Sequence, residues 1–192
     1  MPRLTCPHCL RPQTTCICDL VVKVNNPVEV MILQHPLEQH QAKGSARLLH
    51  MCLNNSQLAI GETFTGEDLT SSKQSVLLYP PEEESQTVCP ADLNPANTRL
   101  VVLDGTWRKS RKLLHLNPTL SELPRLRLSE LPASRYTIRK AHNPDQLSTL
   151  EATCLALGQI DQSPDTYQSI LDAFDQFIQR LQGFMPDHSS DK

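Results

Sequence analysis

Leu100-Val101-Val102-Leu103-Asp104-Gly105-Thr106-Trp107, followed at once by Arg108-Lys109-Ser110-Arg111-Lys112, is the stretch on which the reading of this chain turns. Four uninterrupted aliphatic residues are what a strand shows when both its faces are buried, as in a parallel sheet. Asp104-Gly105-Thr106 turns the chain, and Trp107–Leu116 can then form a helix halted by Asn117–Pro118. Ligands of such sheets bind beyond the carboxyl ends of strands, which is where Asp104–Trp107 falls.

The same grammar continues on either side. Val28–Gln34 reads as a strand, ending at His35–Pro36. Ala42, Ala46, Leu49 and Leu53 then recur at helical spacing until Asn54–Asn55. Val76–Tyr79 is a short apolar run stopped by Pro80–Pro81, which cannot continue a ladder. Glu82 to Asn97, acidic and proline-rich, reads as an exposed loop. Downstream, Arg125–Leu128 and Tyr136–Arg139 are candidate strands. Ser148-Thr149-Leu150-Glu151 is a capping-box pattern opening a helix that runs to about Gly158. In the last helix Ser163 is a candidate cap and Pro164 suits the first position. Tyr167, Ile170, Leu171, Phe174, Phe177, Ile178 and Leu181 form its apolar stripe, and Gly183 and Pro186 end it. Strands alternating with helices predict an α/β fold with a mostly parallel sheet.

The 192 residues suffice for one domain of roughly 150 residues and a short appendage. No apolar run reaches the roughly 18 residues of a membrane span, so no membrane partner is expected. Met1–Cys18 is rich in Cys, Pro and Thr and lacks the apolar core of a secretory signal, which predicts a cytoplasmic protein. The net charge of −3 is unevenly spread. Residues 1–50 carry +2, residues 51–98 −6, residues 99–140 +7 (ten basic, three acidic) and residues 141–192 −6. A basic block in an acidic chain suggests a local anionic partner such as RNA. A solvated face balanced by acidic neighbours is the other reading.

Four of the seven cysteines crowd into Cys6–Cys18 as C-x-x-C, six residues, then C-x-C. A disulfide framework would instead spread an even set across a secreted chain. Cys6, Cys9, Cys16 and Cys18 satisfy a tetrahedral structural Zn2+, with no position left for catalysis. A redox pair in the first half, or His8 in place of one thiol, are the rival readings. Cys52, Cys89 and Cys154 read as small buried apolar residues.

At Asp104-Gly105-Thr106-Trp107, the glycine admits close approach to the backbone and the helix start offers free amides to an anion. The carboxylate can orient or deprotonate a substrate group, and the indole can stack on a base. A purely structural reading competes, in which Asp104 or Thr106 caps the helix and Trp107 anchors the core. Neither a phosphate-binding G-x-x-x-x-G-K-[ST] loop, nor G-x-G-x-x-G, nor a G-x-S-x-G elbow occurs, which counts against ATPase, dinucleotide and common hydrolase classes.

Asp104-Gly105-Thr106-Trp107 resembles the D-x-T-W signature of the DTW-domain family, in the TDD superfamily. The cysteine cluster, Leu33-Gln34-His35-Pro36-Leu37-Glu38 and Leu147-Ser148-Thr149-Leu150-Glu151-Ala152 resemble three further segments of that family, in the same order. The resemblance runs from Cys6 to Ala152. Gly44-Ser45-Ala46-Arg47-Leu48-Leu49 departs from the family pattern, where Asn-Thr precedes the aliphatic pair.

The resemblance implies a SPOUT-like fold with a C-terminal knot that binds S-adenosylmethionine. The zinc knuckle would then occupy residues 1–24, the SPOUT-like DTW domain residues 25–185, and a frayed tail residues 186–192. It also implies transfer of the 3-amino-3-carboxypropyl group to N3 of a tRNA uridine, the variable loop being the bacterial target, with release of methylthioadenosine. Asp104 is then the candidate catalytic group. A carboxylate of ordinary pKa, about 3.9, is a poor base for N3–H, so orienting that proton is as plausible as removing it. Gln34, His35, Gly105, Thr106, Trp107, Ser148 and Thr149 are the candidates for the cofactor pocket. Arg47, Arg108, Lys109, Arg111, Lys112, Arg139 and Lys140 are the candidates for tRNA phosphates. Two competing functions share these features: a SPOUT-type RNA methyltransferase and a non-enzymatic zinc RNA-binding module. Nothing in the sequence sets the oligomeric state.

Overall fold

The computed structural model describes residues 4–65, 69, 71–83, 85–129 and 147–183. Its strands are β1 (Glu29–Gln34), β2 (Ser56–Ile60), β3 (Gln74–Leu78), β4 (Thr87–Val88), β5 (Thr98–Asp104) and β6 (Arg125–Leu126). Its helices are α1 (Ala46–Cys52), α2 (Trp107–Leu116), α3 (Pro118–Ser121), α4 (Thr149–Ile160) and α5 (Gln168–Gly183). The strands form one sheet in the order β2-β1-β5-β3-β6-β4, every pairing parallel. The expected mostly parallel α/β fold is thus observed. The knot, the candidate strand Tyr136–Arg139 and the tail lie outside the described residues.

β5 is buried at all seven positions and sits between β1 and β3, as its aliphatic run requires. Alternation sends its residues to two layers. Leu100 and Val102, with Val30 and Ile32 of β1, pack against Leu49 of α1, Leu157 of α4 and Phe174 of α5. Val101 and Leu103, with Met31 and Leu33, pack against Leu113 of α2 and Leu120 of α3. Phe174 and Phe177 are almost wholly buried, and each contributes on the order of 1.5–3 kcal/mol of transfer free energy. No helix among the described residues is long and apolar enough to cross a membrane.

Several local expectations are corrected. β2 was not anticipated: Ser-Gln-Leu-Ala-Ile is half exposed at the edge of the sheet and has no apolar alternation to announce it. The segment read as a plain loop contains β4 and two single 3-10 turns, opened by Pro90 and Pro95. α1 begins at Ala46, and Ala42 precedes it in a turn, its carbonyl accepting from Arg11 Nη1 at 2.9 Å. β6 stops at Leu126, two residues before the expected Leu128.

α4 runs past Gly158 to Ile160. It closes with Gln162 in the left-handed region (φ 53°) and the Ser163 amide donating to the Gly158 carbonyl at 3.1 Å, which is a Schellman closure. Gly158 serves packing instead, since a Cβ there would lie 3.0 Å from Pro164 Cα. Ser163 makes no side-chain cap, and Pro164–Tyr167 is a 3-10 turn leading into α5.

The cysteine-bearing segment is built into this body. Cys6, Cys9, Ile17 and Leu20 share the core of α1, α4 and α5. The Arg11 guanidinium lies 4.8 Å from the Phe177 ring centroid while donating to the Ala42 and Gly44 carbonyls. Arg180 of α5 makes a two-pronged pair with Asp19.

The capping box is formed at the start of α4. Ser148 Oγ accepts from the Glu151 amide at 3.2 Å, and Glu151 Oε2 accepts from the Ser148 amide at 2.8 Å, both in buried surroundings. Ser148→Ala is expected to lower unfolding free energy by about 1 kcal/mol, measured by urea denaturation at unchanged m-value. An unchanged midpoint would mean that the cap adds nothing to global stability.

Candidate functional site

The register of the two central strands aligns Gln34 with Asp104, the last residue of each. Gln34 Nε2 donates to Asp104 Oδ2 at 2.9 Å, and the His35 amide donates to the Asp104 carbonyl at 3.0 Å. Gln34, His35 and Asp104 are 4%, 2% and 6% exposed, so this polar knot is shielded from bulk water and must be satisfied internally. His35 Nδ1 accepts from the Leu37 amide at 3.2 Å, which places the ring proton on Nε2, 3.1 Å from Glu62 Oε1. Glu62 also receives Lys112 Nζ at 2.7 Å, and that bond first, with the Lys112 charge adding to it, holds the carboxyl below its usual range.

Gly105 has a packing reason for its identity. A Cβ there would meet Lys109 Cβ at 3.0 Å and His35 Cβ at 3.8 Å, so a side chain would push α2 off the strand end. Neither proposed cap operates through its side chain: Thr106 occupies the N-cap position without a side-chain bond, and Asp104 is engaged by Gln34. Trp107 is 46% exposed and meets Tyr79 edge-on at 5.6 Å, so it does not anchor the core.

The basic residues of α2 divide into two pairs. Lys109 Nζ lies 2.7 Å from Glu38, and Lys112 pairs with Glu62, which ties the helix to the loops after β1 and β2. Arg108 and Arg111 are exposed and have no ion-pair partner among the described residues. Arg47 is half-buried on α1, away from the cleft lining, and Arg139 and Lys140 lie outside the described residues.

A cleft of about 450 Å3 opens at the carboxyl ends of β3, β5 and β6 and reaches the start of α4. Of the candidate cofactor residues, Gly105, Trp107, Ser148 and Thr149 line it; Gln34, His35 and Thr106 do not. Asp104, the residue before Gly105 at the end of β5, is not among the lining residues. Tyr79, Pro80, Ser110, Leu126 and Arg127 also line the cleft and were not anticipated. Pro80 and Tyr79 were read only as the end of a strand, yet a strand end in a parallel sheet is itself the signal for a site. Most of the wall is aliphatic or aromatic. Ser148 Oγ already accepts its cap bond, which leaves its O–H free to donate to a ligand and one lone pair to accept.

The four N-terminal thiols form a second site, with all four sulfur atoms within 4.8 Å of one another. Cys6 and Cys18 are 3.5 Å apart, and Cys9 and Cys16 3.7 Å. Tetrahedral thiolates at about 2.3 Å from zinc would be about 3.8 Å apart, so the set fits one ion. Backbone bonds from Cys9 and His8 draw the Cys6 thiol down to about 6, whereas burial pushes Cys18 up to about 12. His8 is exposed and outside the group, which removes it as a ligand in this arrangement. Leu10 closes the turn at φ 59°, a conformation that needs the surrounding structure to hold it. Of the remaining cysteines, Cys52 and Cys154 are buried as expected, and Cys89 is exposed.

The DTW-domain profile matches residues 3–182. The chain is similar to tRNA-uridine aminocarboxypropyltransferase 2 of Drosophila melanogaster, 27% identical over 180 residues covering 88% of this chain and 71% of the fly protein. It is 24% identical over 182 residues to the protein of that name in Macaca fascicularis, covering 88% of this chain and 60% of the relative. To tRNA-uridine aminocarboxypropyltransferase A of Arabidopsis thaliana it is 23% identical over 193 residues, covering 83% and 73%. No solved structure matches significantly. The profile takes in the cysteine cluster, the Asp104–Trp107 turn and the capped start of α4 alike, and the chain belongs to the DTW-domain family.

Proposed function

We propose that this chain is a tRNA-uridine aminocarboxypropyltransferase that takes the 3-amino-3-carboxypropyl group from S-adenosylmethionine to N3 of a tRNA uridine, in the variable loop. The observation that carries this reading is the D-x-T-W turn at the end of the central strand, beside an apolar cleft of ligand size, in a chain whose relatives bear that name. Tyr79 and Trp107 offer aromatic surface to a purine, and Thr149 and the Ser148 hydroxyl offer hydrogen bonds. The sulfonium of the donor makes its attached carbons electrophilic. N3 of the uridine forms the new bond to the chain carbon next to sulfur, the carbon–sulfur pair leaves with methylthioadenosine, and N3 gives up its proton. Asp104, with Oδ2 held by Gln34, receives or orients that N3–H. Incubation with tRNA and S-adenosylmethionine, followed by nucleoside mass analysis, is expected to give a uridine heavier by the aminocarboxypropyl group. A methylated nucleoside would instead support a SPOUT-type methyltransferase, and tight tRNA binding without any modification an RNA-binding module.

Asp104→Asn is expected to reduce transfer by at least a hundredfold with S-adenosylmethionine affinity nearly unchanged, because Asp104 is not among the residues that line the cleft. Loss of donor binding in calorimetry would move Asp104 into the binding site or the fold.

Exposed Arg108 and Arg111 are three residues apart on one face of α2 and are the candidates for the phosphate backbone. Lys109 and Lys112 spend their charge on Glu38 and Glu62. The Arg108→Ala/Arg111→Ala double variant should weaken tRNA binding and make the log affinity–log salt slope shallower by about 1.4–1.8. An unaltered slope would leave the pair as a solvated face, with RNA docking elsewhere, for instance near Arg47.

Cys6, Cys9, Cys16 and Cys18 are proposed to hold one structural Zn2+. Purified protein should contain one zinc per chain, and Cys9→Ser should lose it together with several degrees of Tm. Because thiols must lose protons to bind, metal retention should fall steeply on acidification. Full occupancy in a Cys6→Ser/Cys9→Ser variant would contradict the assignment.

A further inference from the structure

The cleft is nearly devoid of charge. Among its described lining residues Arg127 is the single ionisable cation, and no carboxylate is among them. Every other arginine near this end of the sheet has an assigned task or faces outward. Arg125 is 4% exposed, donates to the Pro80 carbonyl and lies 3.1 Å from Glu82, whereas Arg108 and Arg111 sit on the open side of α2. The Arg127 guanidinium has no hydrogen-bond or ion-pair partner among the described residues.

The sheet register fixes where this cation stands. Val101, Leu77 and Arg125 occupy one row across β5, β3 and β6. The β3–β5 ladder ends at Leu78 and Val102, and Arg127 follows directly on the end of β6, so it stands at the same edge of the sheet as Asp104, the last residue of β5. The Arg127 amide donates to the Val88 carbonyl at 3.0 Å, which extends the ladder and anchors the backbone there. β5 and β6 are separated by two strand spacings, roughly 9.5 Å, so Arg127, exposed at the end of β6 and part of the cleft lining, stands across the sheet edge from the end of β5. An arginine side chain covers much of that gap, and a short aliphatic chain ending in a carboxylate covers the rest.

We propose that Arg127 binds the carboxylate of the group to be transferred, and thereby determines which carbon of the sulfonium faces the acceptor. A methyl group offers nothing to a cation, whereas the aminocarboxypropyl chain carries one carboxylate, matched here by one guanidinium. The inference rests on S-adenosylmethionine being the donor. A tRNA phosphate is the competing occupant, but a cleft of this size, walled by Leu78, Val102, Leu126 and Leu128, takes one small molecule and not a hydrated backbone.

Calorimetric affinities for S-adenosylmethionine and for methylthioadenosine, which lacks the chain and its carboxylate, test this in the intact protein. Arg127→Ala should weaken S-adenosylmethionine binding about ten- to a hundredfold and leave methylthioadenosine within about twofold, with Arg127→Lys intermediate. Retained methylthioadenosine binding also shows that the variant is folded. Equal effects on both ligands, or on neither, would overturn the role of Arg127. A shallower salt dependence for tRNA with unchanged donor affinity would assign the residue to phosphate instead and overturn it equally. If the unaltered protein bound neither small molecule, the donor reading itself would fall, and this inference with it.

Discussion

Gln34 and Asp104 end two neighbouring parallel strands, and the hydrogen bond between their side chains is the constraint from which the rest of the site is set out. Parallel pairing brings both carboxyl ends to the same edge of the sheet, and the register makes these two residues direct neighbours. An isolated carboxylate at 6% exposure would be costly; one that accepts from an amide is held in a single orientation. The next residue is a glycine because a Cβ there would meet the Lys109 Cβ of α2 at 3.0 Å, with His35 already in ordinary contact on the other side. The cleft exists because β5 stops there and α2 leaves on one side of the sheet while α4 covers the other.

Charged groups around this edge play two distinct parts. Lys109 and Lys112 join Glu38, Glu62 and His35 in a clamp that fixes α2 to the loops after β1 and β2. These pairs are partly exposed and add little to stability singly, but together they limit how α2 can tilt over the site. Arg108 and Arg111 stay outside the clamp. A similar division holds at the other end of the molecule, where Arg11 and Arg180 lock the cysteine segment onto α5 and the turn before α1. The cysteine cluster thereby supports the layer of helices that lies behind the cleft.

Much of this was legible in the sequence wherever one physical signal dominated. The aliphatic run of β5 announced a strand buried on both faces, the Ser148–Glu151 pair announced a helix start, and the stripe of α5 announced its buried side. Four cysteines within thirteen positions announced a site whose sulfur spacing suits one ion. What escaped notice lacked a local signature. β2 is an edge strand made by pairing with β1, so its residues carry no alternation. α4 ends on Gln162 in a conformation usually given to glycine, and Gly158, the apparent stop, is a packing residue. The partners of Lys112 and Gln34 are 50 and 70 residues away in the chain, beyond the reach of spacing arguments. Arg127 has no signature in the sequence either: the uncharged lining around it, not its neighbours in the chain, makes it unusual.

The account stands or falls on whether the strand-end pair sets up the chemistry without being part of the ligand cleft. Gln34→Leu keeps the volume and removes the donor to Asp104, so turnover and donor affinity measured on this one variant separate the possibilities. The account predicts that transfer to tRNA falls at least tenfold while the dissociation constant for S-adenosylmethionine stays within about twofold, as expected for a residue that positions another. Unchanged turnover, or a loss confined to donor binding, would contradict it.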